Sequence, residues 1–347
     1  MSGGITQLVA IGAQDVHLTG TPEVSFFRST YKRHTNFAMT NERQVIQGTV
    51  GAGNMSTVRF ERKGDMLGYV YLSALSGSTS VDPDWDTAID RVQLLIGGQV
   101  IDEHSNIFSL YIAPKVLAQN MSKSDGGIIP VTTTTAYFYP LRFFFCENWQ
   151  SALPLIALQY HDVELRIYWG SNVQGYRYEC YANFVYLDTD ERMTLANQPQ
   201  NMLIYQVQRS IASGQDRVQT LTFNHPIKYL VSYDVDASDS GLFSPTNKIK
   251  VQFNGTDVAD FKNAAPHFTS VMSYYHIPYL VDNADDLFLF PFCLDTSKIQ
   301  PTGSLNFSRL DSARIISDTD IISRDVYAVN YNILRIQAGM GGLVYAN

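Results

Sequence analysis

Leu95-Ile-Gly-Gly-Gln-Val-Ile-Asp102 and Gln252-Phe-Asn-Gly-Thr-Asp-Val-Ala259 carry the reading of this chain's fold. In each, an apolar run enters a two-residue turn and a second run leaves it. Asn254-Gly255 is the stronger hairpin signal, since both central residues of such a turn must tolerate positive φ. Gly98 and Gly255 lie 157 residues apart. Three further doublets recur in the same chain order: Tyr69-Val-Tyr-Leu72 with Tyr229-Leu-Val231, Phe145-Cys146 with Phe292-Cys293, and Tyr181-Ala182 with Tyr327-Ala328. Their separations are 160, 147 and 146 residues. Together the four pairs read as two copies of one β unit.

Working outward, short runs rich in aromatic and β-branched residues, bounded by Gly, Pro, Asn and Asp, mark strands. They are Tyr69–Leu75, Val92–Ile96, Tyr137–Cys146, Val163–Trp169, Tyr176–Leu187, Gln219–Phe223, Lys248–Phe253, Leu287–Phe292 and Tyr327–Ile336. Val163-Glu-Leu-Arg-Ile167 alternates apolar with polar, so one face packs inward. Only Ile107–Met121 and Phe261–Tyr275 have room for short helices, and each follows a Gly hairpin. Strand spacing suits Greek-key sandwiches. The expected fold is all-β: two tandem eight-stranded jelly rolls with short helices in the loops. The boundaries read as an N-terminal arm (1–25), a first roll (26–193), a polar, Pro-containing linker (194–204) and a second roll (205–347).

The chain has 347 residues, 45% of them hydrophobic and 17% charged, which excludes a disordered chain. A net charge of −8 without a Lys/Arg cluster argues against direct nucleic-acid binding. The densest basic stretch is Arg28, Lys32, Arg33 and His34. Cys146, Cys180 and Cys293 sit among apolar residues and read as buried free thiols. The opening MSGGITQLVA lacks the flanks of a signal peptide, and no 18-residue apolar run occurs, so synthesis is expected in a cytosol-like compartment. The sequons at Asn54, Asn120, Asn254 and Asn306 are read as unused.

A jelly roll can carry an enzyme, but a cupin-type metal site needs a His-x-His pair, and no two of the seven histidines are spaced that way. His161-Asp162-Val-Glu164 is the one compact polar cluster and reads as strand residues at an edge or interface. Asp282, Asp285 and Asp286 lack calcium-loop spacing and read as a solvated turn. Gly48, Gly51 and Gly53 have no following Lys-Ser/Thr, so they do not cradle phosphate. No nucleophile elbow appears. No enzyme and no cofactor are expected.

One family resemblance spans the chain. Gly3-Gly-Ile-Thr-Gln-Leu-Val-Ala-Ile-Gly-Ala-Gln-Asp-Val-His-Leu-Thr-Gly20, Pro22 and Ser25-Phe-Phe-Arg-Ser-Thr-Tyr-Lys-Arg-His-Thr-Asn-Phe37 resemble the opening of the major capsid proteins of nucleocytoplasmic large DNA viruses. Tyr139-Pro-Leu-Arg-Phe-Phe-Phe-Cys146 and Ala152-Leu-Pro-Leu-Ile-Ala-Leu-Gln-Tyr-His-Asp-Val163 resemble its middle. Gly303, Asn306-Phe-Ser-Arg-Leu-Asp311, Asn330-Tyr-Asn-Ile-Leu-Arg-Ile336 and Gly339-Met-Gly-Gly342 resemble its end. The resemblance implies a double jelly roll assembling as pseudo-hexagonal homotrimeric capsomers, which tile an icosahedral shell around an internal membrane and a double-stranded DNA genome. Implied partners are the chain itself, neighbouring capsomers, minor capsid and penton proteins, and the inner membrane. Localisation would be the virion capsid, after synthesis in host cytoplasm. A minor capsid paralogue of the same fold is the alternative. Two departures stand out: the loops are short, implying a low outer tower, and Asn148-Trp149-Gln150 replaces the family's Pro-Gly turn. An obligate trimer interface would bury on the order of 2,000–5,000 Å² around aromatic anchors, and the chain holds 21 Tyr, 19 Phe and 3 Trp to supply them. The segment Gly3–Phe37, with Arg28, Tyr31, Lys32, Arg33 and His34, is expected to form the capsomer's inner base; the plainer reading is an arm packed on its own domain.

Overall fold

The computed structural model describes residues 3–9, 12–81, 83–124, 138–173, 175–236, 241–258, 260–280 and 286–345. The chain divides into two compact units, Met1–Asn36 and Phe37–Asn347. In the smaller, Gly3–Val9 and Val16–Thr19 are helical. Asp15 starts the second of these turns: its Oδ2 accepts the Gly12 N–H at 2.9 Å and its carbonyl accepts the Thr19 hydroxyl.

The larger unit is built from β-strands. Its first half holds β1 (Phe37–Gln44), β2 (Met55–Arg59), β3 (Met66–Ser76), β4 (Ile89–Ile96), β5 (Gln99–Ser105), β6 (Phe138–Pro140), β7 (Val163–Trp169) and β8 (Arg177–Leu187). Its second half holds β9 (Gln200–Ser210), β10 (Val218–Leu221), β11 (Pro226–Tyr233), β12 (Lys248–Phe253), β13 (Thr256–Asp257), β14 (Leu287–Pro291), β15 (Ala313–Ser317) and β16 (Val326–Gln337). In the first half β1-β8-β3-β6 and β2-β7-β4-β5 form two antiparallel sheets; in the second, β9-β16-β11-β14 and β10-β15-β12-β13 repeat that order. Short strands join these, so the sheets count six, five, six and five strands. The fold is a double jelly roll. Alternation places Val70, Leu72, Leu94, Leu165 and Ala182 in one core between the first pair of sheets, and Leu230, Val251, Ile315 and Ala328 in a second core.

The duplication is in register. Val70 lies opposite Ala182, and Leu230 opposite Ala328, at the separations of 160 and 146 read from sequence. The ladder slips by one residue at the same place in both copies, leaving Gly68 and Lys228 as the extra residues of matching bulges. Both β4–β5 and β12–β13 turn through two residues of positive φ: Gly97 and Gly98 at 57° and 81°, Asn254 and Gly255 at 49° and 76°. Such a turn matches the strand twist. An ion pair is duplicated too. Arg43 meets Glu179 at 2.8 Å, and Arg209 meets Asp325 at 2.7 Å.

Several expectations change. Of the run Tyr137–Cys146, Tyr137 lies outside the described residues, and the rest is strand only at Phe138–Pro140, because Pro140 has no N–H for the ladder and Phe144–Glu147 coils into a helical turn. The cysteine doublet is out of register: Tyr139 and Phe288, 149 apart, hold the equivalent inward places. The first strand begins at Phe37, and the stretch read as a linker, 194–204, is the end of the helix Thr189–Asn197 followed by β9. Asp188 caps that helix, its carboxylate accepting the Thr189 N–H at 2.7 Å. The two expected helices are present, as Phe108–Ile112 with Ala113–Val116, and as Ala264–Val271 with Met272–His276.

Candidate assembly surfaces

The predicted base residues Arg28, Tyr31, Lys32, Arg33 and His34 are all exposed. They follow Pro22 in a stretch without helix or strand, where side chains project outward one by one. Among the described residues, Arg28, Lys32 and Arg33 enter no ion pair. His34 Nδ1 lies 2.8 Å from the Thr35 carbonyl. Phe26 and Phe27 beside them are at least 92% exposed. Phe26-Phe27-Arg28 and Tyr31-Lys32-Arg33 thus set exposed rings beside exposed cations.

The second surface is internal. The helical stripe Phe108, Ile112, Val116 of the first roll, spaced i, i+4, i+8, lies on the outer face of the second roll's β9-β16-β11-β14 sheet. There it covers Tyr229, Val231, Leu289, Tyr327 and Val329 in a third apolar cluster. Phe108 and Tyr327 rings are 5.8 Å apart, and Tyr111 stacks on Tyr233 at 5.2 Å. Polar bonds finish the seam. Asp102, wholly buried, accepts the Val207 N–H at 2.9 Å and meets His104 Nε2 at 2.8 Å. Ser105 and Tyr327 hydroxyls are 2.9 Å apart, and Gln206 donates to the Ile101 carbonyl. At the far end the C-terminal hairpin tucks onto the first roll: His161 Nδ1 lies 2.9 Å from the Gly341 carbonyl and Tyr160 N–H donates to Gly339. A buried seam of this kind joins the two rolls into one compact unit.

Buried ionisable groups support that block. Lys228, at the bulge, is 2% exposed and donates to the carbonyls of Thr296 at 2.9 Å and Lys298 at 3.3 Å. Burial pulls its ammonium down to about 8. Arg142 and Glu147 pair at 3.1 Å within the first roll. All three cysteines are free and buried, and desolvation pushes the Cys146 thiol up to about 12.

The remaining sequence candidates resolve into structure. Asp162 of the His161 cluster bridges Arg59 at 2.6 Å and Arg62 at 3.4 Å. Gly48 and Gly53 shape the turn leading into β2 through positive φ. Asp282 and Asp285 lie outside the described residues, while Asp286 accepts the Asp234 N–H. No three metal-ligating side chains converge among the described residues. Trp149, in the segment that departs from the family turn, packs edge-on against Tyr69 at 5.7 Å. Sequence reading missed the Asp102–His104 pair and the duplicated ion pair. A signal for the latter existed, since Glu179 and Asp325 each stand two residues before a matched tyrosine.

Known proteins share this arrangement. Residues 25–188 match the family described as major capsid protein N-terminus, and residues 191–342 match large eukaryotic DNA virus major capsid protein. The major capsid protein of Pyramimonas orientalis virus is 35% identical with full coverage of both chains, over 401 aligned positions, so it carries residues this chain lacks. That of Paramecium bursaria Chlorella virus 1 is 31% identical, again over the whole of both chains. A chain of the PBCV-1 virus capsid superposes with a TM-score of 0.77 at 28% identity, covering 93% of this chain and 100% of its own. Two in-register rolls, an inter-roll seam and full-length similarity place this chain in the family of large eukaryotic DNA virus major capsid proteins.

Proposed function

We propose that this structural capsid protein works as a homotrimer, its six rolls forming a pseudo-hexagonal capsomer that tiles an icosahedral shell. The observation that carries the reading is the in-register duplication: three copies joined around an axis present six nearly alike flanks, so one chain approximates sixfold packing. Rigidity is the chemical requirement, and the buried seam supplies it. Catalysis has no part in this reading, and the chain acts after synthesis in host cytoplasm, in the virion shell. The domains follow as an N-terminal arm and two rolls.

Arg28, Tyr31, Lys32, Arg33 and His34 serve as the capsomer's inner base. Exposed cations interleaved with Phe26, Phe27 and Tyr31 fit acidic or lipid-headgroup surfaces, so neighbouring capsomers, minor capsid and penton proteins and the inner membrane are the partners proposed. Light scattering on the recombinant chain tests the trimer: the expected particle has three times the 39.0 kDa chain mass. Changing Arg28, Lys32 and Arg33 together to Glu tests the base. Trimers should persist while shell assembly is lost; normal shells would refute it, as would intact assembly after deletion of residues 1–25.

A further inference from the structure

Lys228 puts a charge close to where the two rolls meet. An ammonium has three N–H donors, and here two find protein acceptors, the Thr296 carbonyl at 2.9 Å and the Lys298 carbonyl at 3.3 Å. Among the described residues it joins no ion pair. A charged donor buried without a partner is strongly destabilising, so the third N–H calls for an acceptor.

A second group beside it is in the same position. Tyr331 is 8% exposed, and its hydroxyl is buried without a hydrogen-bond partner. The Thr302 backbone nearby stands outside hydrogen-bond geometry for it. The Tyr331 ring centre lies 5.4 Å from Lys228 Nζ. Its cross-strand neighbour on β9, Tyr205, is by contrast satisfied by the first roll, donating to the Arg142 carbonyl at 3.2 Å.

Lys228 and Tyr331 line one small cavity of about 20 Å³. One water needs about 10–15 Å³ and two to four polar partners. The first roll contributes Glu147, Asn148 and Ser151 to the wall, all buried, from the end of the helical turn Phe144–Glu147 and the residues after it. Glu147 holds Arg142 at 3.1 Å through Oε1 and Lys123 at 3.3 Å through Oε2. A carboxylate offers about four lone-pair sites, so acceptor capacity is left over. Leu117, Phe144 and Ile204 supply apolar wall. A wholly apolar cavity of this size stays dry. The ammonium and the hydroxyl change that balance, because filling the space completes hydrogen bonds to groups already stripped of solvent.

We propose that the cavity is a hydration site, holding one water that accepts from Lys228 Nζ, bonds Tyr331 Oη and donates toward the Glu147 carboxylate. A lysine of the second roll and a glutamate of the first are thereby joined through solvent. The charges of the site favour water over a small anion. A halide would satisfy the ammonium and the hydroxyl but would face the carboxylate, whereas water accepts on one side and donates on the other. The matching bulge of the first roll has Gly68, where a Cβ would lie 2.8 Å from Asn183 Oδ1 and 3.3 Å from the Trp149 ring. The lysine is therefore a feature of the second roll's bulge alone. The site lies within one chain and does not depend on the trimer reading.

Crystals of the full chain, one set grown without halide and one soaked in bromide, test it. Density at high resolution should show a peak within about 2.7–3.2 Å of Lys228 Nζ and Tyr331 Oη, and the soaked crystals no anomalous signal there. An unfilled cavity, or bromide in it, overturns the proposal. Urea unfolding gives a second readout. Tyr331→Phe keeps the ring beside the ammonium and removes only the hydroxyl, so the unfolding constant should rise about tenfold. In a Lys228→Met background, where an apolar side chain leaves the site dry, the same change should alter it by less than about threefold. Equal effects in the two backgrounds mean no shared water and overturn the proposal. If Lys228→Met does not fold, the wild-type crystals decide alone.

Discussion

Lys228 offers a quantitative handle on burial at the second roll's bulge. Its ammonium is buried at the β11 bulge, held by two backbone carbonyls and flanked by the rings of Tyr229 and Tyr331 at 5.8 and 5.4 Å. Desolvation lowers its pKa from an ordinary 10.5 to about 8. Below about pH 8 both folded and unfolded chains carry the charge, and the folded one bears the penalty in full. Between about 8 and 10.5 unfolding takes up a proton, so stability rises with pH. At about 1.4 kcal/mol per pKa unit, the gain between about pH 7 and 9.5 is about 2 kcal/mol.

Lys228→Met keeps the length of the side chain and removes the titration. It also strips donors from the Thr296 and Lys298 carbonyls, at a cost of about 1–3 kcal/mol that does not vary with pH. Urea unfolding of both proteins, followed by far-ultraviolet circular dichroism across that pH range, separates the two effects. The wild type should gain about 2 kcal/mol on the variant as pH rises. Other titrating groups are shared and cancel in the difference. A difference constant across the range would refute the claim that Lys228 is charged at the cost of burial.

The seam and the hairpins give two further expectations. Asp102→Ala leaves the Val207 N–H and His104 without their partner in a dry site, and should cost about 3 kcal/mol or more, seen by calorimetry as a clear drop in thermal midpoint; an unchanged midpoint would show that the seam does not depend on this carboxylate. Gly97 and Gly98 share positive φ, but a Cβ on Gly97 would lie 2.4 Å from His161 Nδ1 while one on Gly98 meets open space. Gly98→Ala should therefore cost about 1 kcal/mol, and Gly97→Ala clearly more, with faster hydrogen exchange at the Gly341 amide that His161 contacts. Equal urea midpoints for the two variants would contradict the steric account.

Much of the fold was legible because strand pairing preserves spacing. Tyr69 with Tyr229, Tyr181 with Tyr327 and Gly98 with Gly255 kept their separations, since inward residues and hairpin glycines are both held in place by the ladder. The cysteine doublet failed because it lies just past the end of a strand, where no ladder fixes register. The polar stretch after Thr194 misled for a related reason: composition alone does not distinguish a solvated linker from an exposed helix and the start of an edge strand. Arg28, Tyr31, Lys32, Arg33 and His34 all lie on an exposed segment, and a partner's surface has no signature in the sequence of one chain.

The seam had a subtler signature. A strand buried on one face alternates, whereas one buried on both faces reads as a continuous apolar run. Tyr229-Leu-Val231 and Val326-Tyr-Ala-Val329 are continuous, and both lie between a roll's own core and the helix from its neighbour. Tyr69-Val-Tyr-Leu72 is equally continuous, yet only Val70 and Leu72 face a core within the chain. The same two-faced pattern thus marks one strand whose second face joins a buried cluster and one whose second face, among the described residues, meets only single rings such as Trp149 and Phe138. An apolar outer row costs solubility in a monomer. Its presence on the first roll is what the proposed trimer accounts for, since packing chains side by side takes such a row out of water.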